Sequence, residues 1–127
     1  INGDIWSTHP LDTLPREPAG LAHGVLIPLP AFRTPGDFEA VASPLLGDES
    51  GMHTLAGIGV YRPELVHEHR PGKFSITPLL IAAARAGQYS VDRHQGDWED
   101  VGTPDRLAAL DARVFAAAQR DMSATNR

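Results

Sequence analysis

Cysteine is absent from the 127 residues, and with it go disulfides, zinc–thiolate sites and cysteine nucleophiles. A chain without thiols fits a reducing compartment, so a cytoplasmic location is the expectation. Long apolar runs are missing too. None approaches the roughly 20 residues that span a bilayer, so no membrane partner is expected. Lysine occurs once, at Lys73, and no Lys/Arg cluster forms a stripe. The 11 basic residues stand against 16 acidic ones, for a net charge of −5. Non-specific duplex binding requires several phosphates to be neutralised at once, which argues against nucleic acid as a partner. Internal repeats and low-complexity segments are also lacking. No initiator Met precedes Ile1-Asn2-Gly3-Asp4. This opening reads as the last residues of a buried strand followed by a turn, with the strand's apolar run missing.

What is present suits a globular domain. Apolar residues make up 42% and charged residues 21%, both ordinary for such a protein, and the length suffices for one core. Residues 7–20 are rich in turn formers, with a short helix expected near Leu11 to Leu14. Leu21 to Leu29 carries small residues with Val25 and Ile27 and reads as a buried strand, ended by Pro28 and Pro30. Asp37 to Val41 alternates Phe38 and Ala40 with Asp37 and Glu39, as a short half-exposed strand would. Pro44 to Gly51 is an acidic, turn-rich connection. Thr54 to Tyr61 is the next strand. Its Gly57 and Gly59 suggest a bulge or a close approach by a ligand or backbone. Pro63 to His69 reads as one helical turn.

Ser75 is placed to cap a helix over 76–86, with Leu79, Leu80, Ala83 and Ala84 as its apolar face and Gly87 as its stop. Tyr89 to His94 is a strand, and Gln95-Gly96-Asp97 turns into Trp98-Glu99-Asp100-Val101. Thr103 caps a last helix that opens on Pro104. Leu107, Leu110, Val114 and Phe115 give that helix one stripe expected to be buried, and residues 121–127 are expected to fray. Strands, helix, strand, helix make an α/β chain with an incomplete sheet.

Two segments carry the candidate chemistry. Asn2-Gly3-Asp4 stands at a strand end, and Trp98-Glu99-Asp100-Val101-Gly102-Thr103 runs into a helix. In open α/β sheets ligands sit beyond the carboxyl ends of strands. Two aspartates converging there form a hard oxygen site of the kind Mg²⁺ takes, with phosphate and water completing its octahedron. Either segment alone reads as readily as a turn; it is the pair that points to a metal.

The pair resembles the sugar-1-phosphate nucleotidyltransferases, in which a Gly-Asp after a central strand and a Trp-x-Asp-x-Gly-Thr segment each supply a metal ligand. Leu55-Ala56-Gly57-Ile58-Gly59-Val60-Tyr61 resembles the family's strand under the sugar, and Phe74-Ser75-Ile76-Thr77-Pro78-Leu79-Leu80 its following helix entry. Leu21-Ala22-His23 and Pro35-Gly36-Asp37-Phe38 look most like the compact branch that holds N-acetylmuramate-1-phosphate uridylyltransferases and mannose-1-phosphate guanylyltransferases.

The resemblance implies a Rossmann-like, GT-A-like mixed sheet, of which residues 1–127 would be the C-terminal half of a single domain. The family's Gly-rich phosphate loop is absent from this sequence. The implied reaction joins a nucleoside triphosphate and a sugar 1-phosphate into a nucleotide sugar and pyrophosphate, with this chain inactive alone. Asp4 and Asp100 would bind Mg²⁺, and Gly3, Gly36 and Gly57 would lie at substrate. No residue is expected as a nucleophile. A non-catalytic regulatory or assembly module of the same fold is the alternative, though one that would tend to lose the metal aspartates. A two-aspartate phosphohydrolase ranks lower, with Lys73 its one candidate partner.

Other residues tempt less. His67 and His69 diverge if they lie on a helical turn, so they read as surface. His9, His23, His53 and His94 are scattered and without obvious partners. Trp6 and Trp98 are expected in the core or at its rim. Asp37 and Lys73 lie in loops near the expected sugar side.

Overall fold

The computed structural model describes residues 1–36, 38–39, 42, 44–48 and 51–125; at 121 and 123–125 it describes the backbone alone. Five strands and two longer helices are formed among them: β1 (Ile5–Ser7), β2 (Ala22–Pro28), β3 (His53–Tyr61), α1 (Thr77–Arg85), β4 (Tyr89–Arg93), β5 (Trp98–Asp100) and α2 (Pro104–Thr125). Single three-ten turns occur at Leu11–Thr13, Pro44–Leu46 and Pro63–Leu65. The architecture is mixed α/β. β2 is central in a three-stranded sheet, antiparallel to β3 and parallel to β4, while β1 and β5 form a separate antiparallel ribbon.

The pleat of β2 sorts its side chains onto two faces. Leu26 packs with Leu80, Ala83, Ala84, Phe38 and Tyr89 under α1. Val25 and Ile27 point the other way and pack with Ala56 and Ile58, against which Ile5, Leu14 and Trp98 of the ribbon side are seated. The sheet therefore lies between a helix and a ribbon. Four hydrogen bonds fasten the ribbon segments. The Trp98 indole N–H donates to the Ala56 carbonyl at 2.9 Å and the Asn2 N–H to the Gly57 carbonyl at 2.8 Å. The His94 N–H donates to the Leu26 carbonyl at 2.8 Å and the Thr8 N–H to that of Asp97 at 3.0 Å.

The β2–β3 ladder slips between Gly24 and Leu26. Gly57 stands in that bulge with φ +75°, a conformation that glycine takes without a steric cost. A side chain there would also strike that of Asn2.

α1 ends as its sequence suggests. Gly87 has φ +66°, its N–H donates to the Ala84 carbonyl and that of Gln88 to Ala83, the bonding of a Schellman motif. Its start differs by one residue: Ile76 is the cap, and the Ser75 hydroxyl reaches only the Thr77 N–H, at 3.4 Å. The Thr103 hydroxyl accepts from the Arg106 N–H at 3.3 Å and caps α2 as expected.

Several expectations are corrected. Phe38 and Glu39 are helical and buried rather than part of a short half-exposed strand; 37, 40 and 41 lie outside the described residues. Glu39 can be buried because its carboxylate is hydrogen-bonded at each side, so alternation of polar and apolar types misreads it. The α2 stripe is not buried as a whole: Leu110 is 7% exposed, but Leu107, Val114 and Phe115 are exposed, Phe115 at 65%. Their spacing makes the helix amphipathic, but no element among the described residues covers that face. α2 also runs on to Thr125 rather than fraying from 121; 126 and 127 lie outside the described residues. Gly3-Asp4 is a turn leading into β1, the turn expected there. No helix among the described residues is long and apolar enough to cross a membrane.

Candidate functional site

The ribbon brings Asp4 and Asp100 together across 96 residues of sequence. Ile5 pairs with Asp100 in the β1–β5 ladder, and the Val101 N–H donates to the Asp4 carbonyl at 2.8 Å. Asp4 precedes β1 and Asp100 ends β5, so antiparallel pairing sets them at the same end. Gly102 marks the point they share. A methyl group there would lie 3.0 Å from Asp100 Oδ1 and 3.5 Å from Asp4 Oδ2. Both carboxylates therefore flank one small space that glycine leaves open.

The two are held differently. Asp100 Oδ1 accepts the Gly102 N–H at 2.8 Å, and Oδ2 pairs with Arg106 Nη1 at 2.9 Å. The Gly102 N–H, then the charges of Arg106 and Arg33, keep the Asp100 carboxyl below the usual carboxylate range, so it is ionised at neutral pH. Asp4 is exposed. Among the described residues no group of three or more histidines, cysteines and carboxylates could hold a metal. Asp4 and Asp100 are thus a pair of carboxylates without a third such ligand among the described residues.

An open cleft of about 800 Å³ lies between β3, the N-terminal turn of α1 and the loop before Phe38; Asp4 and Asp100 do not line it, but Asn2, two residues before Asp4, does. Gly36, Gly57 and Asn2 line it, with Ser75 and Thr77 at the start of α1. Of the glycines expected at substrate, Gly36 and Gly57 are therefore at this cleft. Gly3 is exposed in the turn before Asp4 and is not among its lining residues. Lys73 is exposed and outside the cleft, and Asp37 lies outside the described residues.

Residues that the sequence did not single out form the cleft's polar floor. Glu39 is only 3% exposed. Burial pushes its carboxyl up. Hydrogen bonds from the Thr54 hydroxyl, its own N–H and the Gly36 N–H, together with the Arg33 charge, more than offset this, leaving it below the ordinary value. The Gly36 N–H lies 2.9 Å from Oε2. Arg33 Nη1 donates to Thr54 Oγ1 at 3.3 Å. A chain of donors thus runs from Arg33 through Thr54 to Glu39. The only local signal for it was the Pro35-Gly36 turn, which frees the Gly36 N–H.

The histidines are less scattered than their positions suggest. His9 and His94 meet edge to face with ring centroids 5.1 Å apart. His23 contacts Ser90 Oγ at 2.9 Å and Asp92 Oδ2 at 3.2 Å, and His53 lies 3.2 Å from Asp48. Strand pairing creates the His23 contacts: His23 stands opposite Ser90 in the β2–β4 ladder. His67 is exposed, as expected.

No model of a known protein family matches the chain. A curated relative does: the N-acetylmuramate alpha-1-phosphate uridylyltransferase of Neisseria meningitidis serogroup B (strain ATCC BAA-335 / MC58), 30% identical over 126 residues. The match takes in 91% of this chain, and the chain spans about half of the relative's length, 54%. Over nine-tenths of its residues, this chain is thereby related to a sugar-1-phosphate nucleotidyltransferase.

Proposed function

We propose that the protein transfers a nucleoside monophosphate from a nucleoside triphosphate to a sugar 1-phosphate, and that residues 1–127 carry the metal-binding and acceptor side of that reaction. The observation that carries this reading is the convergence of Asp4 and Asp100 on the open space at Gly102, with Asn2, two residues before Asp4, lining a polar-floored cleft. The relative's name supports the reaction class, and the mixed sheet is compatible with a Rossmann-like nucleotidyltransferase fold.

The donor set fits Mg²⁺. Two carboxylates in a part-solvated space give hard oxygen ligands and leave positions for water and phosphate. Bound there, the ion would supply positive charge to the phosphate oxygens of the reacting groups. The protein's own residues do the rest. In transfer, an oxygen of the sugar phosphate forms a bond to the α-phosphorus, and the bond to the pyrophosphate oxygen breaks. No protein nucleophile is required. Asp100, fixed by Gly102 and Arg106, keeps its carboxylate aimed at the shared space. The Gly57 bulge and the N-terminal turn of α1 shape the acceptor's cleft, and the buried Thr54–Glu39 pair fixes its floor.

The test is a panel of nucleoside triphosphates and sugar 1-phosphates, incubated with the intact protein and Mg²⁺ and read by pyrophosphate release and nucleotide-sugar formation. At least one pair is expected to yield both products in equal amounts. Release of inorganic phosphate from the sugar phosphates, with no nucleotide sugar from any pair, would overturn the assignment.

A further inference from the structure

Neighbouring residues of one loop touch the two halves of the site. The Phe32 ring lies under the Arg106 guanidinium, 4.6 Å from ring centroid to Cζ, and Arg106 is the residue that pairs with Asp100. The next residue, Arg33, turns into the cleft and reaches Thr54. Its charge acts on both Asp100 and Glu39. Arg33 is solvent-exposed, and the hydrogen bond from its guanidinium to Thr54 is long at 3.3 Å. Among the described residues it makes no ion pair within 4.0 Å, and of the two arginines that line the cleft, Arg33 and Arg85, it is the one whose charge reaches Asp100. A guanidinium held by a single neutral contact keeps most of its five donors free for a planar, two-oxygen partner.

We propose that Arg33 binds the phosphate group of the acceptor, a phosphorylated sugar, and sets it between the cleft and the Asp4–Asp100 pair. This rests on the transfer reaction proposed above. The loop's geometry decides the placement. Phe32 lies against Arg106, so the backbone at Arg33 is next to the residue that pairs with Asp100. Thr54 orients one Nη from the cleft floor, and Glu39 beyond Thr54 balances the charge without taking the guanidinium's donors directly. An incoming phosphate therefore finds a cation already positioned. Its sugar ring extends over Gly57 and toward Glu39. Arg85 also lines the cleft, but it sits in the last turn of α1, where its charge complements the helix's C-terminal carbonyls.

The experiment compares wild type, Arg33→Met and Arg33→Lys in the intact protein, in two arms. In steady-state transfer, Arg33→Met is expected to raise KM for the sugar 1-phosphate about tenfold or more while KM for the nucleoside triphosphate moves less than about twofold, because one charge-assisted partner of one substrate is removed. Arg33→Lys restores part of the loss, since it keeps the charge but not the fork. Calorimetric titration with inorganic phosphate and glucose 1-phosphate, without nucleotide, reads binding alone, and Arg33→Met is expected to weaken both ligands about equally. Equal affinity of wild type and Arg33→Met for both ligands would overturn the proposal. So would a KM rise on Arg85→Met with none on Arg33→Met. Wild-type protein that fails to transfer but binds phosphate through Arg33 would contradict the reaction and uphold the residue.

Discussion

The two faces of the three-stranded sheet are packed by different means. Under α1, Leu26, Leu80, Ala83, Ala84 and Phe38 make an apolar layer in which position matters little beyond volume. On the ribbon face a smaller apolar patch of Val25, Ile27, Ala56 and Ile58 is joined by directed contacts: the Trp98 indole on Ala56, the Asn2 N–H on Gly57, and the His9, His94, His23 and Asp92 group. The lesson is a division of labour. The helix face supplies stability, while the ribbon face supplies the alignment of Asp4 and Asp100.

The largest effect should come from the helix face. Leu26→Ala removes a fully buried side chain and is expected to lower stability by about 2–5 kcal/mol, with kcat unchanged at temperatures where the variant remains folded. Urea unfolding and transfer assays on the same samples check both. A fall in kcat larger than the unfolded fraction explains would break the comparison.

Trp98→Phe tests the ribbon face. It leaves the Ala56 carbonyl without its indole donor, at a cost of about 1–3 kcal/mol. In samples that remain folded, kcat is expected to fall about tenfold, since misplacing a reacting group by an ångström costs on the order of a hundredfold. Wild-type kcat in this variant would show that the ribbon's seat does not align the carboxylates.

The smallest effect is a pH dependence confined to the ribbon face. His9 is held below its ordinary pKa of 6.5 by burial first, then by His94 and His23, with Asp92 opposing. Its Nε2 is buried and has no partner among the described residues. The unfolded chain therefore takes up a proton at His9 before the folded chain does. This contribution to stability is complete above about pH 6.5 and is lost as pH falls through the folded pKa. Urea midpoints measured between pH 7.5 and 5.5 should drop (about two units suffice to span the window), and His9→Phe should flatten the drop. An unchanged slope in that variant would remove His9 from the account.

What the sequence made legible was mostly local. β2, β3, the Gly87 stop and the Thr103 cap follow from strand composition, a positive-φ glycine and a hydroxyl before Pro104. The pairing of Asp4 with Asp100 was legible through the resemblance of two short motifs, and their convergence then appears in the ribbon geometry. Phe38 and Glu39 were not, because a buried carboxylate bonded by Gly36 and Thr54 has the same letter as an exposed one. Arg33 was missed for a similar reason: its place depends on Phe32 lying under Arg106, a contact across more than seventy positions. The histidine group needed strand register. The α2 stripe announced an amphipathic helix, but periodicity does not say whether a partner covers it.

The central claim is that Asp4 and Asp100 serve as one unit. A double-mutant cycle on transfer activity of the intact protein, with Asp4→Asn, Asp100→Asn and the pair, tests it most directly. Each single variant is expected to lose about a hundredfold or more in kcat/KM, and the double variant to fall no further than the worse single one, since residues that share one ion are strongly non-additive. Losses that multiply in the double variant, or full activity in either single one, would contradict it.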